Sequence, residues 1–221
     1  MKKNFFISGG TGSFAKKFVS LLIKKRLAKK IVIFSRDEYK QSLMKELPFV
    51  KNNQSIFRFY IGDVRDKSRL EWAINDDIDI VIHSAALKQV PTTEYNPFET
   101  VQTNIVGTQN LIEVCLNKNI DKTVLISTDK AVSPINLYGS TKLTAEKLFI
   151  SANIFKGSKN NKFSVIRYGN VMGSRGSVIP IFLKQNKNSS DYFTVTDKNM
   201  TRFNISLTEA AEFVNFCISK M

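Results

Sequence analysis

Phe5-Phe6-Ile7-Ser8-Gly9-Gly10-Thr11-Gly12-Ser13-Phe14-Ala15 is the stretch on which the fold turns. A short apolar run enters a glycine-rich turn, and an amphipathic helical pattern opens directly after it. Glycines at such a junction let the backbone turn tightly and approach a pyrophosphate, while the helix N-terminus offers N–H groups and a favourable dipole. Glycine clusters also make ordinary loops, so context decides. This one sits at the first strand–helix junction of a βαβ unit, which is where a dinucleotide-binding turn belongs. Gly9, Thr11, Gly12, Ser13 and Phe14 are the residues expected at the phosphates. The spacing G-x-x-G-x-x-A puts Ala15 where a third glycine commonly serves helix–strand packing, a change of one methyl group.

Outward from that turn the rhythm repeats. Apolar runs at Phe5–Ser8, Ile31–Phe34, Phe57–Ile61, Ile78–His83, Thr123–Ser127 and Phe163–Tyr168 alternate with helical patterns over 13–26, 37–47, 66–75, 97–118 and 138–154. Apolar runs joined by helix-length crossovers predict a parallel sheet with helices on both faces. The fold class is α/β, a doubly wound parallel sheet of the NAD(P)-binding Rossmann type. After residue 170 come a loop with Gly173 and Gly176, a short helix over 177–186, a brief strand near Phe193–Val195 and a last helix. Ser206 and Glu209 fit a capping box at its start. The chain thus divides into a dinucleotide-binding domain, 1–170, and a small, truncated C-terminal substrate-binding part, 171–221.

The 221 residues are 43% hydrophobic, enough to bury the core of one large domain. A formal charge of +14, from 33 Lys+Arg against 19 Asp+Glu, raises nucleic acid as a partner. The lysines are dispersed in pairs such as Lys16-Lys17, Lys24-Lys25 and Lys29-Lys30, without interleaved aromatics. A solvated basic surface is the simpler reading, and no nucleic acid is expected. The positive field also suits a small polyanionic substrate. Cys115 and Cys217 lie in helical patterns without a CxxC partner and read as reduced thiols. With a single histidine beside them, no metal site is expected. No apolar run could span a bilayer, and the one following Met1-Lys2-Lys3-Asn4 is shorter than the about 7–15 residues of a secretory h-region. A cytoplasmic protein without membrane association is expected.

The second strand ends in Ser35-Arg36-Asp37. An acid at that point commonly holds the ribose 2′-OH of NAD. Here serine and arginine come first, a guanidinium suits a 2′-phosphate, and Asp37 reads as the start of the next helix. NADP is the expected cofactor. Gly62-Asp63-Val64, after the third strand, is placed to meet the adenine. Tyr138 and Lys142, four residues apart, share a helix face, so an ammonium near the phenol would lower its pKa. Such a pair is common by chance. Ser127-Thr128-Asp129-Lys130 gives it weight, because ligands of open parallel sheets bind at the carboxyl ends of strands.

With these motifs the chain resembles the extended short-chain dehydrogenase/reductase superfamily, and more narrowly it is similar to the inverting UDP-N-acetylglucosamine 4,6-dehydratases of pseudaminic acid biosynthesis. The resemblance rests on GGTGSFA, SRDEYKQ, FYIGDVRDKSRL, AALKQVPTTEYNPFE, TNIVGTQN, STDKAVSPINLYGSTKL, RYGNVMGSRGSVIP and MTRF. It departs at Ala15 and at Gln89, where the family usually carries histidine. It implies NADP contacts at the glycine-rich turn, Ser35, Arg36, Asp37, Lys40, Asp63, Val64, Ser84, Ala85, Ala86, Lys88, Thr103, Asn104, Tyr138, Lys142 and Val171. Contacts to UDP-N-acetylglucosamine are implied at Lys88, Thr128, Asn170, Arg175, Gly176, Ser177, Val178 and Arg202. Family members run about a third longer, and the further part closes over the nucleotide. The resemblance therefore implies weak substrate affinity, exposed apolar surface and self-association into a homo-oligomer.

The implied reaction removes water across C5–C6 of the sugar with inversion at C5, giving a UDP-4-keto-6-deoxy-N-acetylhexosamine for surface or flagellar glycans. Tyr138, activated by Lys142, takes the O4 proton as hydride passes to NADP. Lys130 removes the C5 proton, and Asp129, kept protonated by a dry site, donates to the departing C6 hydroxyl. Thr128 completes the catalytic set. Two rivals stand beside this. Retaining dehydratases carry methionine in place of Tyr138, and simple 4-epimerases lack the Asp-Lys pair. A catalytically silent NADP-binding chain would carry every motif and turn nothing over. His83 reads as a packed residue, and Asp79 and Glu94 as surface charges.

Overall fold

In the computed structural model, residues 1–173, 178–187, 192, 193, 195 and 197–221 are described. Strands β1 (Lys3–Ser8), β2 (Ala28–Ser35), β3 (Phe57–Ile61), β4 (Ile80–His83), β5 (Lys122–Thr128) and β6 (Lys162–Tyr168) form a sheet in the order β3-β2-β1-β4-β5-β6. Every pairing in it is parallel. All six apolar runs are strands, with ends moved by a few residues. The strand order reverses between β1 and β4, the switch point at which such sheets bind ligands.

Successive side chains of a strand point to opposite faces, and the central strands are apolar on both. Phe5 and Ile7 of β1 pack with Phe18, Val19 and Leu22, from helix α1 (Ser13–Lys24). Phe6 joins Val32, Phe34 and Val81 under helices on the other face. Those helices are α4 (Lys67–Ala73), α7 (Gly107–Asn117) and α8 (Leu137–Phe155). They contribute Leu70, Leu111, Val114 and Phe149, all fully buried. Each such side chain contributes about 1.5–3 kcal/mol by leaving water. Helix α2 (Glu38–Lys45) and the single turn α3 (Pro48–Lys51) link β2 to β3. Asp37 caps α2 by accepting from Lys40 N–H at 2.9 Å, so the reading of Asp37 as a helix start holds.

The pattern over 97–118 does not form one helix. After α5 (Val90–Tyr95), helix α6 (Pro97–Val101) passes through a π-turn at Gln102–Val106 before α7 begins at Gly107. A Cβ on Gly107 would lie 2.6 Å from Val64 Cγ2, so only glycine lets this segment approach the β3 loop so closely.

Beyond β6 the short strands β7 (Asn170–Val171) and β8 (Asn204–Ile205) pair in parallel, with helix α9 (Val178–Lys187) between them. Neither Phe193 nor Val195 lies in a strand; the extended segment falls at β8. Helix α10 (Leu207–Lys220) carries the expected capping box between Ser206 and Glu209. It buries Ala211, Val214 and Ile218 in the core shared with α1. No helix among the described residues is long and apolar enough to cross a membrane.

Candidate active site

The carboxyl ends of β1, β2, β4, β5 and β6 open on a cleft of about 1170 Å³. The glycine-rich turn forms one wall. Gly9 has φ +65°, a left-handed conformation that favours glycine, and an added Cβ would meet Ala85 N at 2.8 Å. Gly12 occupies the N-cap of α1, where no side chain competes with an anion for the helix start. Across the cleft the π-turn presents Thr103, whose buried Oγ1 has no hydrogen-bond partner among the described residues. A buried unpaired hydroxyl costs about 1–3 kcal/mol. A ligand oxygen there would recover it, and the start of α1 at Gly12, with no side-chain cap, can take a phosphate. The residues present therefore fit a dinucleotide.

Of the residues expected around that group, Gly9, Thr11, Gly12, Ser13, Phe14, Ser35, Arg36, Asp37, Lys40, Asp63, Val64, Ser84, Ala85, Ala86, Lys88, Thr103, Tyr138, Lys142 and Val171 all line the cleft. Asn104 does not. Its side chain is buried behind the wall, fastened to the backbone of Leu87 and to the Thr141 hydroxyl. At the far end Asp63 takes Arg65 Nε and NH2 at 2.9 and 2.7 Å, with Arg36 NH1 at 3.5 Å. Burial pushes the Asp63 carboxyl up, but the Arg65 hydrogen bonds and the two guanidinium charges outweigh it and hold it below its ordinary value. Lys40 pairs with Asp37.

The reactive groups sit where β5 ends. Lys142 is buried and donates from Nζ to the Ile126 carbonyl at 2.8 Å. Burial pulls its pKa down to about 8, with the Glu146 charge acting in the opposite sense. Tyr138 is pushed up to about 12 by burial, reinforced by the Asp129 charge and opposed by a hydrogen bond to Thr128. The expected lowering of the phenol pKa by Lys142 is not found: burial and the Asp129 charge outweigh the Thr128 hydrogen bond. Asp129 Oδ1 accepts from Thr128 Oγ1 at 3.0 Å and from Lys130 Nζ at 3.1 Å. Lys130 also donates to Asn170 Oδ1 at 3.0 Å. The Asp129 side chain is 29% exposed and faces an ammonium, so the dry site expected around it is not found. Lys88 is lowered by burial and by the neighbouring Lys130 charge.

On the substrate side Thr128, Lys130, Asn170 and Arg202 line the cleft. Val178 starts α9. Arg175, Gly176 and Ser177 lie outside the described residues. Two residues were not anticipated. Tyr168 lines the cleft and packs on Phe14 with ring centroids 6.0 Å apart, its phenol pushed up by burial and by Tyr138. Glu146 lies buried one helical turn beyond Lys142. Both look like packing positions in a strand and a helix; only the Lys142-x-x-x-Glu146 spacing offered a signal.

His83 is packed, as expected. Burial pulls its pKa down to about 3, with the Lys142 charge adding to this. Its Nδ1 meets Ser8 Oγ at 2.7 Å and its Nε2 meets Thr108 Oγ1 at 3.0 Å. Thr108 donates its proton to the Asn104 carbonyl at 2.7 Å, so it accepts from Nε2–H, and Nδ1 accepts from Ser8. Asp79 and Glu94 do more than sit on the surface. Asp79 accepts from Asn4 N–H and Glu94 from Leu137 N–H, each at 2.7 Å. Among the described residues no group of His, Cys, Asp and Glu is arranged to hold a metal ion.

A six-stranded parallel sheet with this strand order, a glycine cradle at its switch point and a Tyr–Lys helix beside it define a Rossmann-like domain of the short-chain dehydrogenase/reductase type. The chain belongs to the polysaccharide biosynthesis protein family, whose model matches residues 5–221. It is 50% identical over 212 residues to the Campylobacter jejuni protein (strain 81-176) named UDP-N-acetylglucosamine 4,6-dehydratase (inverting), covering 96% of this chain and 62% of that one. To the Rickettsia rickettsii protein named UDP-glucose 4-epimerase it is 43% identical over 215 residues, covering 96% and 61%. The X-ray structure of Pen from Bacillus thuringiensis superimposes with a TM-score of 0.93 at 44% identity, over 99% of this chain and 67% of that one. The chain thus spans about 62% of the length of the curated dehydratase it matches.

Proposed function

We propose that this protein dehydrates UDP-N-acetylglucosamine at C4, C5 and C6 with inversion at C5, using NADP. The observation that carries the reading is the Asp129–Lys130 contact at 3.1 Å, joined through Thr128 to Tyr138. Oxidation alone, or epimerisation at C4, needs only the Tyr138–Lys142 pair. Loss of water needs a base for C5 and an acid for O6, and a carboxyl–amine pair supplies both.

When bound, NADP would supply a reversible hydride acceptor. Tyr138, steadied by Thr128, would accept the proton of O4 as its phenolate, the form that the Lys142 cation favours. The 4-ketone then acidifies the C5 proton. For the elimination Lys130 would act as an amine and Asp129 as a carboxylic acid. Lys130 takes the C5 proton, Asp129 gives its proton to the departing hydroxyl, and the original ion pair is restored as water leaves. Return of the hydride to C6, with a solvent proton delivered to C5 on the opposite face, would give the C6 methyl group and the inversion.

NADP rather than NAD is supported by Arg36 at the cleft rim and by Asp37, the acid after β2, being engaged as a helix cap and with Lys40. Residues 1–170 would hold the cofactor and 171–221 contribute to the sugar nucleotide site. The product would feed surface-glycan synthesis of the pseudaminic acid type, in the cytoplasm where nucleotide sugars are made, and the protein would work as a homo-oligomer.

The test is incubation with UDP-N-acetylglucosamine and NADP in D2O, followed by NMR. A C6 methyl group and deuterium at an inverted C5 are expected. A 4-epimer without loss of water would replace the reading with an epimerase, and NADP binding without turnover would leave a silent binding chain.

A further inference from the structure

Glu146 is a carboxylate at 2% exposure, on the buried face of α8 with Ala145 and Phe149. An ionised acid in such a place is costly unless it is paired and hydrogen-bonded. Here Arg167 of β6 grips both of its oxygens, with Nε at 2.9 and 3.0 Å, and Ser127 of β5 donates its hydroxyl to Oε1. The guanidinium is 44% exposed on its own side, so its charge is largely solvated while that of the carboxylate is not. Lys142 lies one turn earlier on α8, four residues from Glu146 and buried like it; its ammonium donates to the Ile126 carbonyl, and the Glu146 charge favours the charged form. Among the described residues the other groups beside Lys142 bring no negative charge: the Tyr138 phenol shares its helix face, and the neutral His83 imidazole of β4 lies near it.

We propose that Glu146 is a positioning residue for the Tyr138–Lys142 pair, a fixed buried negative charge, clamped by Arg167 and Ser127, that keeps the Lys142 ammonium charged inside the protein. The inference deepens the proposed chemistry, since Lys142 acts there as a cation. It also stands apart from it, because the Lys142 side chain titrates whether or not a sugar is turned over. The electrostatic logic assigns opposite signs to the two outer partners. Removing the carboxylate strips Lys142 of its counter-charge. Removing the guanidinium releases the carboxylate to act on Lys142 alone.

The experiment is an NMR titration of Lys142, labelled with 13C at Cε, in the full chain and in Glu146→Gln, Glu146→Asp and Arg167→Gln, each checked for folding by circular dichroism. The Lys142 midpoint should fall by about one pH unit in Glu146→Gln, return part of the way in Glu146→Asp, and rise in Arg167→Gln. The basic limb of the pH–kcat profile should move with it. If Glu146→Gln fails to fold, the upward shift in Arg167→Gln still decides. Midpoints that stay fixed, or that move the same way in Glu146→Gln and Arg167→Gln, overturn the proposal and leave Glu146 a purely structural anchor. Predicted shifts without any turnover would sustain the role of Glu146 while removing the proposed reaction.

Discussion

Asn104 and Leu87 are joined by a two-sided clamp: Asn104 Oδ1 accepts from the Leu87 N–H at 2.8 Å, and its Nδ2 donates to the Leu87 carbonyl at 2.9 Å. Through it the π-turn holds the loop after β4 at fixed distance, with Ala86 and Lys88 presented to the cleft on either side of Leu87. Asn104→Ala leaves both Leu87 groups without these partners and should cost about 3 kcal/mol of stability. Urea unfolding measures this. A loss below about 1 kcal/mol would mean that the loop is held by other contacts. NADP affinity should fall in the same variant.

Cofactor choice rests on Arg36. Calorimetry should give tighter binding of NADP than of NAD by the parent protein. Arg36→Ala should lose about 10–100-fold in NADP affinity, the worth of a charge-assisted hydrogen bond, with NAD little affected. Equal affinities of the parent for the two cofactors would remove the argument.

Under the proposed reaction, elimination and oxidation belong to different side chains and should separate under mutation. Lys130→Ala should still reduce added NADP in the presence of the sugar nucleotide, read as absorbance at 340 nm, yet release no dehydrated product. Tyr138→Phe should do neither. Equal loss of hydride transfer in both variants would refute the division of labour.

His83 makes stability depend on pH. Its folded pKa of about 3 lies below the ordinary 6.5, so between these values the unfolded chain binds a proton that the folded one does not. Stability is then fully present above about pH 6.5 and drains away as the pH falls towards 3. Between pH 7.5 and 4.5 the parent should lose about 2–3 kcal/mol more than His83→Gln, which has no such proton to take up. Matching losses in urea unfolding at the two pH values would show that the imidazole is not driving the acid sensitivity.

Most of this architecture can be read from the chain, because strands buried on both faces must be apolar runs and the crossovers between them must be helix-length. The Tyr138–Lys142 pair is legible for a similar reason, since a fixed helical spacing brings the two together whatever surrounds them. Contacts made across the fold are not legible. The helical pattern runs unbroken through Thr103 and Asn104, and only the distant Leu87 backbone accounts for the clamp made there. The sequence placed Asp129 beside Lys130 but could not say that the two side chains would meet as a partly exposed pair. Tyr168 ends a core strand and reads as packing, and the two-residue pairing of β7 with β8 is too short to leave a periodic trace.

The strand order also dictates how the chain must be assembled. β1 pairs with β2 early, but its other edge waits for β4, where Ser8 and His83 lie 75 positions apart. At a translation rate of about 5–20 residues per second that second edge remains uncovered for roughly 4–15 s on the ribosome. Phe5, Phe6 and Ile7 flank that uncovered edge, a combination prone to pairing with other chains. A nascent chain arrested just before Ile80 should therefore recruit holdase chaperones, and one arrested beyond β5 should shed them.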